Sequence, residues 1–136
     1  MKELVIGADT ENLEEVLAFV DAELEANDCP MKIQIQLDIA VEEMFVNIAH
    51  YAYQGAAGEA VIRMEIIKEE KTTVEITFID RGIPYNPLEK EDPDITLSAD
   101  ERQVGGLGIY MVKQSMSHVD YHYSDGQNIF TMSKEL

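Results

Sequence analysis

The sequence predicts an α+β fold, a two-layer sandwich in which helices cover one face of a mixed, mostly antiparallel sheet. Two observations support this prediction. Apolar residues recur at helical spacing over residues 10–26 and 30–53, and they alternate with polar residues over 59–68 and 73–80. A strand with only one apolar face needs cover on that side alone, which is typical of antiparallel neighbours with helices on a single face.

The amino-terminal part is predicted to contain one strand and two helices. Residues 3–6 form the strand, and Asp9 or Thr10 can cap the first helix, whose early glutamates favour the positive end of the helix dipole. Pro30 suits the first position of the second helix, because its fixed φ angle and missing N–H are tolerated there. We therefore expect this second helix to run from Pro30 to about residue 53.

The carboxyl-terminal part is predicted to contain an irregular stretch, a third helix and a hairpin. The irregular stretch runs from about residue 81 to 105 and holds three of the four prolines, so we interpret it as a lid over a site. Gly105-Gly106-Leu107-Gly108 opens the third helix, and Asp125-Gly126 supplies the positive φ angles of the final tight turn. The inward positions of the third helix are expected to be Ile109, Val112, Met116 and Leu107.

Composition restricts the possible functions. With 27 acidic and 10 basic side chains the formal charge is −17, which disfavours general binding to nucleic acid or anionic membranes because phosphate groups would be repelled. Cys29 is the only cysteine, so no disulfide can form within the chain, and no apolar run approaches the length of a membrane span. These observations predict a single-domain cytoplasmic protein with no nucleic-acid or membrane partner.

Polar side chains lie at the border of the apolar stripe of the second helix. Glu43 and Asn47 are one helical turn apart, and His50 lies near them, whereas Glu42 points about 100° away. Glu43 is therefore favoured over Glu42 as a carboxylate facing a cleft, although solvated helix positions would give the same pattern. The apolar stripe itself consists of Leu37, Val41, Met44, Ile48 and Ala52.

Three further segments each allow two interpretations. Asp80-Arg81-Gly82 at a strand end is either a ligand contact or an ordinary Asp turn. Gly105-Gly106-Leu107-Gly108 before a helix can present N–H groups to phosphate, or it is only a turn. His118, Asp120 and His122 alternate on one strand face, a pattern that suits an exposed polar face better than a metal site.

The combination of segments resembles a known family. Residues 43–53, 78–87 and 105–116, in this order, resemble the ATP-binding fold of histidine kinases, type II topoisomerases, Hsp90 chaperones and MutL proteins. The whole chain more closely resembles the anti-sigma-factor serine/threonine kinases. This resemblance implies a single histidine-kinase-like ATP-binding domain over residues 1–136, with a Bergerat-type fold and an ATP lid at about residues 81–105.

The resemblance also implies roles for the matched residues. Asn47 is expected to coordinate the Mg²⁺ that bridges the phosphates, Asp80 to accept a hydrogen bond from the adenine amino group, and Glu43 to be the catalytic base. Because the chain is so acidic, Arg102 is the first candidate for a positive phosphate contact, with a solvated loop arginine as the alternative. The complete set of implied nucleotide-binding residues is Asn47, Asp80, Gly82, Arg102, Gly105, Gly106, Leu107 and Gly108.

Two positions depart from the family pattern. Ile83-Pro84 follows Gly82 where the broader superfamily has a second glycine, although Pro84 is ordinary among the anti-sigma-like proteins. Asn128 stands where many relatives have a threonine near adenine. These departures leave open how the adenine ring is bound.

The function implied by the resemblance is that of an ATP- and Mg²⁺-dependent protein serine/threonine kinase. Such a kinase acts as an anti-sigma factor that phosphorylates a small STAS-type antagonist, sequesters a sigma factor and forms a homodimer. An alternative is a nucleotide-gated protein-binding module with little or no kinase activity. A detached catalytic domain of a histidine kinase is less favoured, because the chain ends in a hairpin and has no phosphoacceptor helix.

Overall fold

The computed structural model describes residues 1–89 and 106–136. Most of the predicted lid, including Arg102 and Gly105, therefore lies outside the described residues. The strands are β1 (Lys2–Gly7), β2 (Glu59–Lys68), β3 (Thr72–Asp80), β4 (His118–Ser124) and β5 (Gln127–Glu135). The helices are α1 (Leu13–Ala26), α2 (Met31–Asn47) and α3 (Gly106–Ser115), with short 3₁₀ turns at Thr10–Asn12 and Pro87–Glu89 and a π-helical turn at Ile48–Ala52.

The strands form one sheet in the order β1-β2-β3-β5-β4, and every pairing among them is antiparallel. One face of this sheet is buried against the helices, while Val5 on the opposite face is 51% exposed. The predicted α+β fold with helices on one face is confirmed. The buried sheet residues are Ala60, Ile62, Met64, Val74, Ile76, Phe78, Phe130 and Met132.

The helices begin slightly later than predicted. The Asp9 side chain accepts a hydrogen bond from the Glu11 N–H at 2.8 Å, but the first turn is 3₁₀, so α1 begins at Leu13. Pro30 has φ −58° and ψ 140°, an extended ψ angle that places it before α2 and not at its first position. The predicted apolar stripe of the second helix is buried as expected, from Leu37 to Ala52.

The carboxyl-terminal elements agree with the sequence prediction. Ile109, Val112 and Met116 are buried, whereas the side chain of Leu107 lies outside the described set. The β4–β5 turn has φ 53° at Asp125 and φ 77° at Gly126, the positive values that a tight two-residue hairpin turn requires. None of the helices in the described ranges is both long and apolar enough to span a bilayer.

The second helix changes its winding near its end. The predicted helix to about residue 53 is α-helical only to Asn47, and Ile48–Ala52 is a π-helical turn, in which the backbone is wider. The carbonyl oxygen of Ala52 accepts a hydrogen bond from the Ile83 N–H at 2.9 Å. A Cβ atom built on Gly82 would overlap this same oxygen. The helix end and the residues after β3 are therefore in backbone contact, and position 82 requires glycine.

Two carboxyl groups meet where α1 packs on α2. Atom Oδ1 of Asp21 and atom Oδ1 of Asp38 are both buried, with no hydrogen-bond donor for them among the described residues. Burial raises the pKa of Asp38 to about 7, and the neighbouring carboxyl group of Asp21, which can accept its proton in a hydrogen bond, and the charges of Asp21 and Glu25 raise it further. A proton on Asp38 can be donated to Asp21, so the pair is stable when it holds one proton.

The first prediction concerns this pair. The pKa of Asp38 rises from 3.8 to about 7 on folding, so the protonated side chain stabilises the folded protein. This contribution to the free energy of unfolding is fully present below pH 3.8 and is lost as the pH rises through 7. We expect Asp38→Asn to raise the free energy of unfolding at pH 8 by about 1 kcal/mol, a value reduced for solvent screening, and to flatten its pH dependence. Chemical denaturation at pH 5 and pH 8 measures this, with Glu42→Gln as the exposed control on the same helix. An equal increase in the free energy of unfolding at pH 5 and pH 8 would contradict a proton shared by Asp38 and Asp21.

The second prediction concerns Gly82. We expect Gly82→Ala to lower the free energy of unfolding by about 2–3 kcal/mol, because the added methyl group meets the hydrogen-bonded carbonyl of Ala52. In Gly108→Ala the added methyl group meets only the end of the Glu43 side chain, which can rotate, so its loss should stay below about 1 kcal/mol. Urea denaturation of both variants makes the comparison. Equal losses would show that the Ala52 contact is not the constraint.

Candidate functional site

A cleft lies between the end of α2, the end of β3 and the start of β5. Its polar side chains are Asn47, Asp80 and Asn128, and two of these were predicted as site residues from the sequence. The other lining residues are the apolar Met44, Ile48, Ala52, Phe78, Ile83, Pro87 and Phe130 and the aromatic Tyr51, Tyr85 and Tyr121. A largely apolar cleft with a few convergent polar groups is the usual form of a small-molecule site.

Glu43 and Asn47 form one hydrogen-bonded unit at the edge of α2. The Asn47 Nδ2 atom donates to the Glu43 backbone oxygen at 2.9 Å and to Glu43 Oε1 at 3.0 Å. Both amide hydrogens are thus used, and the amide oxygen is the Asn47 atom that could coordinate a cation. A hard amide oxygen suits Mg²⁺, which usually takes few protein ligands and keeps its other positions for water and phosphate.

The described residues include no group of three or more His, Cys, Asp and Glu side chains that could hold a metal ion. A cation at Asn47 would therefore depend on oxygens of a bound ligand as well as on the protein. His122 Nδ1 lies 3.9 Å from Asp120 Oδ2, and both side chains are exposed, which agrees with an exposed polar strand face. His50, predicted to lie near Asn47, is exposed and has its ring against Tyr51 at a centroid distance of 5.9 Å.

The beginning of α3 lies against Glu43. A Cβ atom built on Gly108 would overlap the carboxylate of Glu43, so the glycine permits this close approach. Glu43 is half-buried, whereas Glu42 is exposed on the other side of the helix. The structure thus brings together Glu43, Asn47 and Gly108, while α3 begins at Gly106 and includes Leu107.

Asp80 also lines the cleft and is 7% exposed. Its Oδ1 atom accepts the Gly82 N–H at 2.9 Å and the Asn128 side-chain amide at 2.9 Å. Arg81 lies outside this pocket wall, and its N–H donates to the Tyr53 hydroxyl at 2.9 Å. The turn after β3 is therefore held on both sides, and Gly82 belongs to the frame that positions Asp80.

Asn128 is a residue of the cleft that was not among the predicted site residues and stood out in the sequence only as a departure from the family pattern. In the structure it is the direct partner of Asp80 in the β3–β5 register, and the two side chains share a hydrogen bond. The local sequence could not reveal this partnership, because it depends on which distant strand pairs with β3. The polar Asn128 on the buried face of an alternating strand is the one signal that could have indicated it.

The sequence matches a known protein family and several curated proteins. A family model described as the histidine kinase-like ATPase domain matches residues 6–134. Among curated proteins, the serine/threonine-protein kinase BtrW of Bordetella bronchiseptica is 24% identical over 102 residues, which is 75% of this chain and 70% of that protein.

Two proteins named serine-protein kinase RsbW are also similar. The one from Listeria monocytogenes is 25% identical over 97 residues, covering 68% of this chain and 60% of that protein. The one from Bacillus pumilus is 29% identical over 107 residues, covering 74% of this chain and 64% of that protein. The chain thus spans less than two thirds of the length of either RsbW protein.

A solved structure supports the fold assignment. The histidine kinase domain of a blue-light activated histidine kinase from Erythrobacter litoralis superposes with a TM-score of 0.54 at 15% identity, covering 91% of this chain and 61% of that chain. At this identity the likeness concerns the fold alone. Because the family model spans nearly all of the sequence, the chain belongs to the histidine kinase-like ATPase domain family.

Proposed function

We propose that this chain binds ATP with Mg²⁺ in the described cleft and acts as a protein serine/threonine kinase with an anti-sigma regulatory role. The observation that carries the proposal is the placement of Glu43, whose carboxylate is held by Asn47 and lies against Gly108 near the start of α3. The names of the three serine kinase relatives support the same activity.

The adenine base is assigned to the Asp80 end of the cleft. The walls there are apolar and aromatic, which suits a flat purine ring, and the Asp80 carboxylate can accept a hydrogen bond from the amino group. Met44, Phe78 and Phe130 are buried beneath this end and keep it rigid. Preorganised walls reduce the entropy that is lost when a ligand binds.

The phosphates are assigned to the other end, between Asn47 and the beginning of α3. Glycine at position 108 lets the Glu43 carboxylate lie beside this turn, and N–H groups in the first turn of a helix favour an anion. Asn47 would hold Mg²⁺ through its amide oxygen, and the cation would neutralise charge on the phosphates. Arg102 and Gly105, which lie outside the described residues, remain proposed phosphate contacts, as do Gly106 and Leu107.

Glu43 is proposed as the general base. In the transfer, the acceptor serine or threonine oxygen forms a bond to the γ-phosphorus, the bond from that phosphorus to the ADP oxygen breaks, and the hydroxyl proton passes to Glu43. The Asn47 amide fixes the Glu43 carboxylate in position, which is the main contribution that a protein makes to this chemistry.

The partners are proposed from the family resemblance. They are a sigma factor, which the protein would sequester, and a small STAS-type antagonist domain, which it would phosphorylate. The proposal also includes a single domain over residues 1–136, an ATP lid at about residues 81–105, a homodimer and a cytoplasmic location. Binding controlled by nucleotide would connect the kinase reaction to the regulation of transcription.

A second candidate function is favoured by one specific contact. Glu43 Oε1 already accepts a hydrogen bond from Asn47 at 3.0 Å, so one of the two carboxylate oxygens is engaged within the protein and not directed at a substrate hydroxyl. In this alternative the chain is a nucleotide-gated binding module that transfers little or no phosphate. The two functions differ in whether the labelled phosphoryl group is transferred from ATP to a protein, so one experiment separates them.

The third prediction tests the base. The protein is incubated with labelled ATP, Mg²⁺ and a STAS-type antagonist domain encoded in the same genome. We expect Glu43→Gln to lower phosphoryl transfer by about 100-fold or more with ATP affinity kept within about threefold, because the amide cannot accept the proton. The matched control is Glu42→Gln, which removes a neighbouring exposed carboxylate and should leave the rate unchanged.

Two results would count against the kinase. Transfer that Glu43→Gln does not reduce would exclude Glu43 as the base. Tight ATP binding with no transfer to any antagonist, even at long incubation, would favour the nucleotide-gated module instead.

The fourth prediction tests the two ends of the nucleotide site. We expect Asp80→Asn to weaken ATP binding about tenfold or more with or without Mg²⁺, because the oxygen that faces the adenine amino group is replaced by an NH2 donor. Asn47→Ala should weaken binding only when Mg²⁺ is present, since its amide oxygen is the proposed metal ligand. Isothermal titration with and without EDTA measures both effects. Asp120→Asn on the exposed face of β4 is the control, and unchanged affinity in both site variants refutes the assignment.

A further inference from the structure

We infer that Asn128 is a positioning residue that orients the Asp80 carboxylate for recognition of the 6-amino group of the purine, without contacting the nucleotide itself. The inference rests on the proposed function, because it assigns the base to the Asp80 end of the cleft.

Asn128 is at the centre of a hydrogen-bond network that links three parts of the chain. Its side-chain nitrogen donates to Asp80 Oδ1 at 2.9 Å and to the Ile83 carbonyl at 2.8 Å. Its side-chain oxygen accepts the Tyr85 N–H at 3.1 Å and the Tyr121 hydroxyl at 2.5 Å. The side-chain amide of Asn128 on β5 thus connects this strand to β3, to β4 and to the residues after β3. Asn128 is only 6% exposed.

The orientation of this amide is determined by its partners. The Ile83 carbonyl can only accept a hydrogen bond, and the Tyr85 N–H can only donate one. A flipped amide would place nitrogen against a donor and oxygen against an acceptor, so it is excluded. Burial raises the pKa of Tyr121, with its contact to the Tyr85 backbone acting in the opposite direction, and the protonated hydroxyl is a donor to Asn128.

The same network leaves Asn128 without capacity for a ligand. A side-chain amide has two N–H donors and two oxygen lone pairs, and all four are used within the protein. A hydrogen bond to the nucleotide would have to replace an existing bond at a site shielded from water, which is unfavourable because the displaced partner would be left unpaired. Asn128 therefore acts on the nucleotide through its neighbour.

That neighbour is Asp80, whose two oxygens are not equivalent. Oδ1 accepts two hydrogen bonds, from the Gly82 N–H and from Asn128, each at 2.9 Å. Oδ2 has no partner among the described residues and is the oxygen available to a donor in the cleft. Loss of the Asn128 bond would leave Oδ1 with only the Gly82 N–H, so the carboxylate would be held less firmly and its contact with the amino group would be weakened specifically.

The test compares two nucleotides that differ only at this group. ATP is compared with purine riboside triphosphate, which has hydrogen in place of the 6-amino group, by titration with the wild-type protein and Asn128→Ala. We expect the wild type to prefer ATP and the variant to lose about tenfold of that preference, because it loses an oriented acceptor. A merely structural role for Asn128 would weaken both nucleotides equally and leave the ratio unchanged.

A second variant addresses the possibility that Asn128→Ala unfolds. Tyr121→Phe keeps the ring and removes only one bond to Asn128, so the same ratio should fall by a smaller factor, about threefold. Thr131→Ala is the control on the same strand, because Thr131 pairs with Thr77 on the opposite face of the sheet. Far-ultraviolet circular dichroism at the titration temperature verifies folding of each variant.

The outcomes separate the inference from the proposed function. If the wild type prefers ATP and Asp80→Asn abolishes the preference, but Asn128→Ala and Tyr121→Phe preserve it, the inference is wrong and the adenine site stands. If the wild type binds neither nucleotide, or if Asp80→Asn leaves the preference for ATP unchanged, both the positioning role of Asn128 and the proposed adenine site are overturned. A selective loss of ATP affinity in Asn128→Ala, graded in Tyr121→Phe, supports the positioning role.

Discussion

The arrangement of the cleft depends on one backbone junction, the hydrogen bond from the Ile83 N–H to the Ala52 carbonyl. It joins the end of the π-helical turn to the residues after β3, and Gly82 is the residue whose missing side chain lets the two backbones meet. Each half of the cleft is built on one side of this junction. A widened helical turn is costly in isolation and is frequent at functional sites. Here it brings a helix that carries Asn47 and a strand that carries Asp80 to one cleft.

The cleft is supported by two separate polar units that share no hydrogen bond in the described structure. One consists of Glu43 and Asn47 beside Gly108, and the other consists of Asp80, Asn128 and their partners after β3. Between them lie only apolar and aromatic walls. A polar group at one end can therefore be altered without removing the partners of the other end, which makes the two ends separable by substitution. This separation is useful in a site that must hold a purine ring and a chain of phosphates, because the two parts have different chemistry.

Much of this architecture could be predicted from the sequence, and the omissions have identifiable causes. The alternation of apolar and polar residues predicted the bounds of β2 and β3 to within one residue, and Asp125-Gly126 predicted the last turn, because these signals are local. Spacing along one helix also favoured Glu43 over Glu42. The π-helical turn was missed, because the sequence from Ile48 to Ala52 fits an ordinary helix and its widening is tied to a contact with Ile83. The Asp80–Asn128 pair and the Asp21–Asp38 pair required tertiary structure, since each joins separate elements.

The bonds of Asn128 also affect the chemical durability of the chain. An asparagine ages by deamidation when its side-chain carbonyl carbon is attacked by the backbone nitrogen of the next residue, and asparagine is among the thermolabile residues of proteins. Asn128 is held by four partners and is followed by the β-branched Ile129, so its amide cannot swing toward that nitrogen. Deamidation would place a second carboxylate beside Asp80 in a buried setting. The network that positions the side chain therefore also protects it from slow covalent damage over the lifetime of the protein.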